Sequence, residues 1–232
     1  MWDKPGFLNA VANLLFAGAF VLAAYDAGLF ILRQSVFALR EVRVSNALTH
    51  VTRDQIEEVV GHDIAGNFFT LDLMRLRAGF EQLPWVRTAD VRREWPDRVN
   101  VALEEQVPLA RWGNDALVNI HGEVFAAAYD SVLPVFIGPD AASAKEITIQ
   151  YDYFRRSLAA IDEAPAQVQM SPRRAWEVRL ASGLTLELGR DDIEARLDRF
   201  VAAYARTVGQ LPHRPAYVDL RYSNGFAVRV PG

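Results

Sequence analysis

The sequence contains no cysteine, so disulfides, thiolate nucleophiles and cysteine-based zinc sites are all excluded. Histidine is scarce: His50, His62, His121 and His213 stand singly in turn-like contexts, without the spacing that would bring two imidazoles to one metal. Positive charge is not in excess, since 25 Lys and Arg face 29 Asp and Glu for a formal charge of −4. A field able to hold nucleic acid through phosphate neutralisation is therefore missing. No HExxH, GxSxG, GxGxxG or lysine-bearing phosphate loop occurs. The doublets Glu57-Glu58 and Glu104-Glu105 do not supply an acid–base pair. Neighbours on a strand face opposite ways and neighbours on a helix diverge by about 100°, so both doublets read as solvated faces. No catalytic group, metal, cofactor or small-molecule substrate is expected, and the chain reads as a binding protein.

What is present begins with 232 residues, 51% of them hydrophobic, enough to bury one large core or two small ones. Apolar residues concentrate between Leu14 and Leu32, where Asp26 is the single charge. That run matches a hydrocarbon core of about 30 Å. It continues past Ala24 and lacks a basic start, so it reads as an uncleaved anchor rather than a signal peptide. Arg33 and Arg40 follow the run and only Lys4 precedes it, so counting positive charges does not favour a cytoplasmic N-terminus.

After the anchor, residues 38–107 read as a small α+β unit. Glu41 to Ser45 alternates like a strand, and Thr52 with Gln55 forms a capping box that opens a helix ending at Gly61. A second helix starts at Asp72, with Leu73, Leu76, Phe80 and Leu83 on one stripe before Pro84. Two strands follow, Trp85 to Trp95 and Arg98 to Val107, about a Pro96-Asp97 turn. The order is β-α-α-β-β, and the helical stripes bury most simply against one face of a three-stranded sheet.

Residues 108–232 read as a mostly antiparallel β domain with packed helices. Short strands at 109–112, 116–120 and 124–127 suggest a meander, and Ile147, Tyr151, Phe154, Leu158 and Ile161 mark an amphipathic helix. Strands at 175–180 and 184–188 precede a helix from about Asp192. The chain closes with strands 216–222 and 226–230 about Asn224-Gly225, a strong hairpin signal. A terminal hairpin arm on a sheet edge would leave backbone groups free to pair with another chain.

The ordered motifs Gly66-Asn67-Phe68-Phe69, Leu83-Pro84-Trp85-Val86, Val91-Arg92-Arg93-Glu94-Trp95-Pro96, Glu104-Glu105-Gln106-Val107-Pro108, His121-Gly122-Glu123-Val124-Phe125, Arg173-Arg174-Ala175-Trp176, Leu188-Gly189-Arg190 and Asp219-Leu220-Arg221-Tyr222 resemble the bacterial FtsQ/DivIB cell-division family over nearly the whole chain. The resemblance implies a short cytoplasmic head at 1–13, a single inner-membrane helix at 14–32 with Leu14 and Leu32 as its ends, a periplasmic POTRA domain at 38–107 and the FtsQ β domain at 108–232. It implies a divisome scaffold at the septum whose β domain binds FtsB and FtsL, while other division proteins meet the POTRA domain. FtsB would add a strand beside Phe226, Ala227, Val228, Arg229 and Val230, with Tyr222, Ser223 and Gly225 at the hairpin and Arg173 and Arg221 facing its acidic side chains. Strand addition draws affinity from main-chain hydrogen bonds, and the arginine fork suits a carboxylate. The competing reading is a POTRA-type chaperone or translocation module that holds extended polypeptides.

Overall fold

The computed structural model describes residues 5–32, 38–63, 67–211, 215–222 and 224–229. Helix α1 (Pro5–Leu32) has 28 residues, about 42 Å of helix. It starts before the apolar run does, with Pro5 in the first turn, where a missing N–H costs nothing. Its segment Asn9–Gly28 is long and apolar enough to cross a membrane, and Leu14, Phe16 and Phe20 on it are exposed.

The chain divides into two compact units between Glu105 and Gln106. Beyond α1, the first unit consists of β1 (Glu41–Val44), α2 (Arg53–Asp63), α3 (Leu73–Glu81), β2 (Val86–Glu94) and β3 (Arg98–Glu105), the expected order. The sheet runs β1-β3-β2, with β1 parallel and β2 antiparallel to β3. The capping box is reciprocal: the Thr52 N–H donates to Gln55 Oε1 at 2.9 Å, and the Gln55 N–H donates to Thr52 Oγ1 at 3.4 Å. Asp72 caps α3, its Oδ1 accepting from the N–H groups of Met74 and Arg75, each at 3.0 Å. Leu76 and Phe80 then bury against Val99, Val101 and Leu103. Helix α2 does not stop at Gly61 but runs on to Asp63. Glycine inside a helix costs only about 1 kcal/mol, too little to end it there.

Two charged residues tie loops to this sheet. Arg93 donates from Nε to the Phe68 carbonyl at 2.7 Å and from Nη2 to the Leu71 carbonyl at 2.6 Å, so two of the motifs meet in one contact. Glu105 is not a solvated-face residue, as its doublet suggested. Its Oε2 accepts from the Thr49 N–H and its Oε1 from those of His50 and Val51, all at 2.8 Å, and His50 stacks on Trp85 at 3.9 Å.

The second unit carries β4 (Pro108–Trp112), β5 (Ala116–Asn119), β6 (Val124–Phe125), β7 (Val135–Ile137), α4 (Ala144–Leu158), β8 (Pro165–Met170), β9 (Trp176–Leu180), β10 (Thr185–Gly189), α5 (Ile193–Tyr204), β11 (Tyr217–Asp219) and β12 (Ala227–Arg229). They form one nine-stranded sheet in the order β12-β11-β10-β9-β8-β7-β4-β5-β6. The meander β4-β5-β6 is antiparallel, as the sequence suggests. The whole sheet is mixed, because β4 with β7, β7 with β8, and β10 with β11 are parallel. Parallel neighbours need long crossovers, and α4 and α5 supply two of them. One sheet face buries Phe136, Val168, Val178, Leu186 and Val218 together with Ile147, Phe154, Leu197 and Phe200 of those helices. Asn119 is wholly buried, donating to Gln106 Oε1 and Glu123 Oε2 at 2.7 Å each. Gly122 turns beside it at φ +78°, where a Cβ would lie 2.5 Å from the Lys145 Cα, so only glycine fits.

The Glu105 contacts yield a pH prediction. Burial raises the carboxyl's pKa, but the three N–H donors, with His50 adding to them, outweigh it, so the folded value lies below the ordinary one. Stabilisation is then complete above the unfolded pKa, about 4.3, and is lost as pH falls through the folded value. Glu105→Gln should destabilise the first unit by about 1–3 kcal/mol at neutral pH. Thermal unfolding followed against pH should show that difference shrinking in acid; a constant difference would contradict the assignment.

Candidate functional site

Strand β12 closes one end of the nine-stranded sheet and pairs with β11 alone: Tyr217 stands opposite Arg229, Val218 opposite Val228, and Asp219 opposite Ala227. Its far side carries no partner strand among the described residues, and Ala227, Val228 and Arg229 are exposed. The Arg229 guanidinium lies 5.5 Å from the Tyr217 ring centroid, a cation–π contact that steadies the last pair. Phe226 instead turns inward, its ring 5.7 Å from that of Phe200 at 73°, and so pins the strand to the core. Tyr222 is 59% exposed while its carbonyl accepts from Arg199 Nη2 at 2.8 Å. Gly225 is half-buried in the turn. Ser223 and Val230, also expected at this site, lie outside the described residues.

The two expected arginines share one end of the sheet, where β8, β10 and β11 finish and β9 and β12 begin. Arg173 sits in the β8–β9 turn, exposed and without a side-chain hydrogen bond or ion pair among the described residues. Its neighbour Arg174 has φ +61° and gives its guanidinium to Glu146 of α4. Of that doublet, one member builds the fold and the other is left over. At the usual strand spacing, Arg173 stands roughly 15 Å from β12 along the sheet.

Arg221 is differently placed. Its Nε donates to Asp219 Oδ1 at 2.9 Å and its Nη2 to Oδ2 at 2.6 Å, a bidentate fork on a carboxylate that is only 7% exposed. The Arg221 N–H also donates to Oδ1 at 3.0 Å. Hydrogen bonding from Arg221, against the opposing effect of burial, holds Asp219 below the ordinary carboxylate range. Gly189 makes room for this arrangement at φ +73°: a Cβ there would stand 2.8 Å from Arg196 Nη1 and 3.0 Å from Arg221 Cγ. Arg196 in turn donates to the Leu188 carbonyl at 2.6 Å.

Arg196 and Arg199 were not singled out from the sequence, and Asp219 and Gly189 stood only within the quoted motifs, without a role of their own. The available signal was the i, i+2 spacing of Asp219 and Arg221, which puts both on one face of a strand. On that open face Glu177, Glu187 and Asp219 stand in register across β9, β10 and β11. Burial, then the charges of Glu177 and Asp219, push the Glu187 carboxyl up, against the pull of Arg221. Among the described residues no group of His, Cys, Asp or Glu is arranged to hold a metal ion. What the site offers is hydrogen bonding along a strand, flanked by one free and one pre-oriented guanidinium.

Residues 37–106 match the family model "POTRA domain, FtsQ-type", and residues 110–221 match "Cell division protein FtsQ/DivIB, C-terminal". The chain is 44% identical to a cell division protein FtsQ of Nitrosospira multiformis over 99% of both chains. It is 41% identical to one of Burkholderia pseudomallei over 100% of this chain and 95% of the relative. A third, of Neisseria gonorrhoeae, is 31% identical over 99% of this chain and 95% of the relative.

The acidic row carries its own test. A carboxyl whose folded pKa is raised loses stabilisation as pH rises through that value. Glu187→Gln should therefore stabilise the second unit at neutral pH, and the gain should vanish in acid, where Glu187 is protonated. A loss of thermal stability at neutral pH would mean that Arg221 needs this charge.

Proposed function

This chain belongs to the FtsQ/DivIB family of cell-division proteins, and on that footing we propose that it is a non-enzymatic scaffold of the division machinery which recruits FtsB and FtsL by strand addition at β12. The observation that carries this reading is the position of β12: an exposed strand at the open end of a sheet whose other face is covered by helices. Such an edge adds a strand of another chain through main-chain hydrogen bonds, and the side chains beside it select which chain. Arg173 is free to meet a carboxylate of FtsB. Arg221 is 56% exposed and keeps its Nη1 donors beyond those that hold Asp219. The positions Tyr222, Ser223, Gly225 and Phe226 to Val230 complete the proposed footprint, with Phe226 acting from below by holding the strand on Phe200.

In this reading α1 crosses the inner membrane once, with residues 1–13 cytoplasmic and residues 38–232 in the periplasm at the septum. Residues 38–107 serve as the POTRA domain and receive other division proteins, and residues 108–232 serve as the β domain.

The test is a titration of the protein with the periplasmic segment of FtsB, read by binding and by backbone hydrogen exchange. Saturable binding should protect amides within Ala227–Arg229. Arg173→Glu, an exposed change that leaves the core intact, should weaken binding tenfold or more, since a charge-assisted hydrogen bond contributes about 1.5–3 kcal/mol. Protection appearing elsewhere while β12 exchanges unchanged would rule out strand addition there.

A further inference from the structure

The turn between β2 and β3 exposes Trp95 to 80% of its surface, and the indole has neither a ring partner nor a hydrogen-bond partner among the described residues. A tryptophan held in water on a short turn contributes nothing to the core beneath it, which closes through Val99, Val101 and Leu103. The ladder shows where this turn lies. Arg98 stands opposite both Glu41, the first residue of β1, and Glu94, the last of β2. The Arg40 N–H donates to the Asp97 carbonyl at 2.9 Å. The start of β1 and the Trp95 turn are therefore one end of the sheet, and Glu105, where the chain leaves the unit, is at the opposite end.

Eight peptide steps join Arg40 to Leu32, the last residue of α1. Fully extended they reach at most about 28 Å. Once α1 spans a bilayer, this end of the unit is leashed to the membrane surface, and its effective concentration there is high without further affinity. The chemistry at the tip fits that surface. Indole is apolar over most of its area with one N–H donor, the combination that seats at the headgroup level. Beside it the Arg40 side chain is 78% exposed, only loosely paired with Asp97 at 3.5 Å, so its guanidinium is available to a lipid phosphate. Arg98 is matched by Glu41 at 3.1 Å, and Arg40, Arg43 and Arg98 together balance Glu41, Glu94 and Asp97, which leaves this end of the sheet without an excess of negative charge to repel anionic lipid.

We propose that Trp95 seats in the headgroup layer of the membrane crossed by α1, with Arg40 on lipid phosphate beside it, so that the first unit stands on the bilayer by this end. The proposal rests on the reading of α1 as a membrane span. Its consequence is orientation: two points of attachment, α1 and Trp95, set which end of the sheet faces the bilayer.

The test uses the full chain in nanodiscs of phosphatidylethanolamine and phosphatidylglycerol, one chain per disc, with and without lipids brominated near the headgroup. Subtracting the fluorescence of Trp95→Ser isolates Trp95 from Trp2, Trp85, Trp112 and Trp176, and circular dichroism checks that this surface change leaves the fold intact. The Trp95 emission should be blue-shifted, shielded from aqueous iodide, and at least about twofold weaker in brominated discs, as for an interfacial indole. Arg40→Glu should move it back toward the red. An inserted chain whose Trp95 emission ignores bromination and is quenched by iodide overturns the contact alone. Quenching protection that appears only when two chains share a disc assigns the tip to a second copy and overturns it as well. A chain that stays out of the bilayer overturns the span, and the contact with it.

Discussion

A strand that runs parallel to its neighbour cannot be reached by a tight turn, and this constraint decides the architecture around β12. β7 is followed by α4 and then β8, and β10 by α5 and then β11, each helix a crossover between parallel strands. β7, β8 and β10 all point the same way, and both crossovers step toward the same side of the sheet. Right-handed connections must then lay both helices on one face. They do meet: Tyr153 and Ser157 of α4 donate to Asp198 of α5 at 2.7 and 2.8 Å. The second crossover also delivers β11 beyond β10, so the hairpin that follows has nowhere to go but the edge.

With one face taken by helices, the other is left to polar groups, and this is where the sheet keeps its charge. Three carboxylates in register across three strands would repel one another, and the fork from Arg221 to Asp219 offsets part of that cost. The same fork fixes the direction of a guanidinium at the end of β11. An arginine that has already lost its rotamer freedom gives up less entropy on meeting a partner than a loose one does. Arg173 and Arg221 thus differ in kind, the first adaptable and the second rigid.

Much of the fold was legible because local and global signals agreed. The stripe of Leu73, Leu76 and Phe80 behind an Asp cap could only be a helix, and Asn224-Gly225 between apolar runs does join the antiparallel pair β11 and β12. Strands β7 and β8 were not legible. β7 has three residues, too few to show alternation, and β8 opens with Pro165, which reads as a helix stop although proline is tolerated as the first residue of a strand. Strand β11 is shorter than its apolar run because the chain at Asp219 bends to receive the N–H of Arg221. At the site, spacing raised a free edge without deciding it against a covered one, and resemblance pointed to the edge and to its arginines, but nothing in the sequence announced that Arg221 is held by Asp219 or that Gly189 clears the space. Glu105 was misread for the same reason: its three partners lie more than fifty residues away.

The parallel pairing of β1 with β3 has a mechanical meaning. Tension along the chain enters the first unit at Glu41 and leaves it at Glu105, and parallel strands put these two points at opposite ends of one ladder. The load is then carried in shear, shared by all four registered pairs from Glu41–Arg98 to Val44–Val101, which must yield together. A hairpin pulled from its open end would peel one bond at a time. Resistance to pulling is a matter of unfolding rate rather than equilibrium stability, so even a small domain of this geometry can act as a stiff link in a chain drawn taut between a membrane and whatever its far end holds.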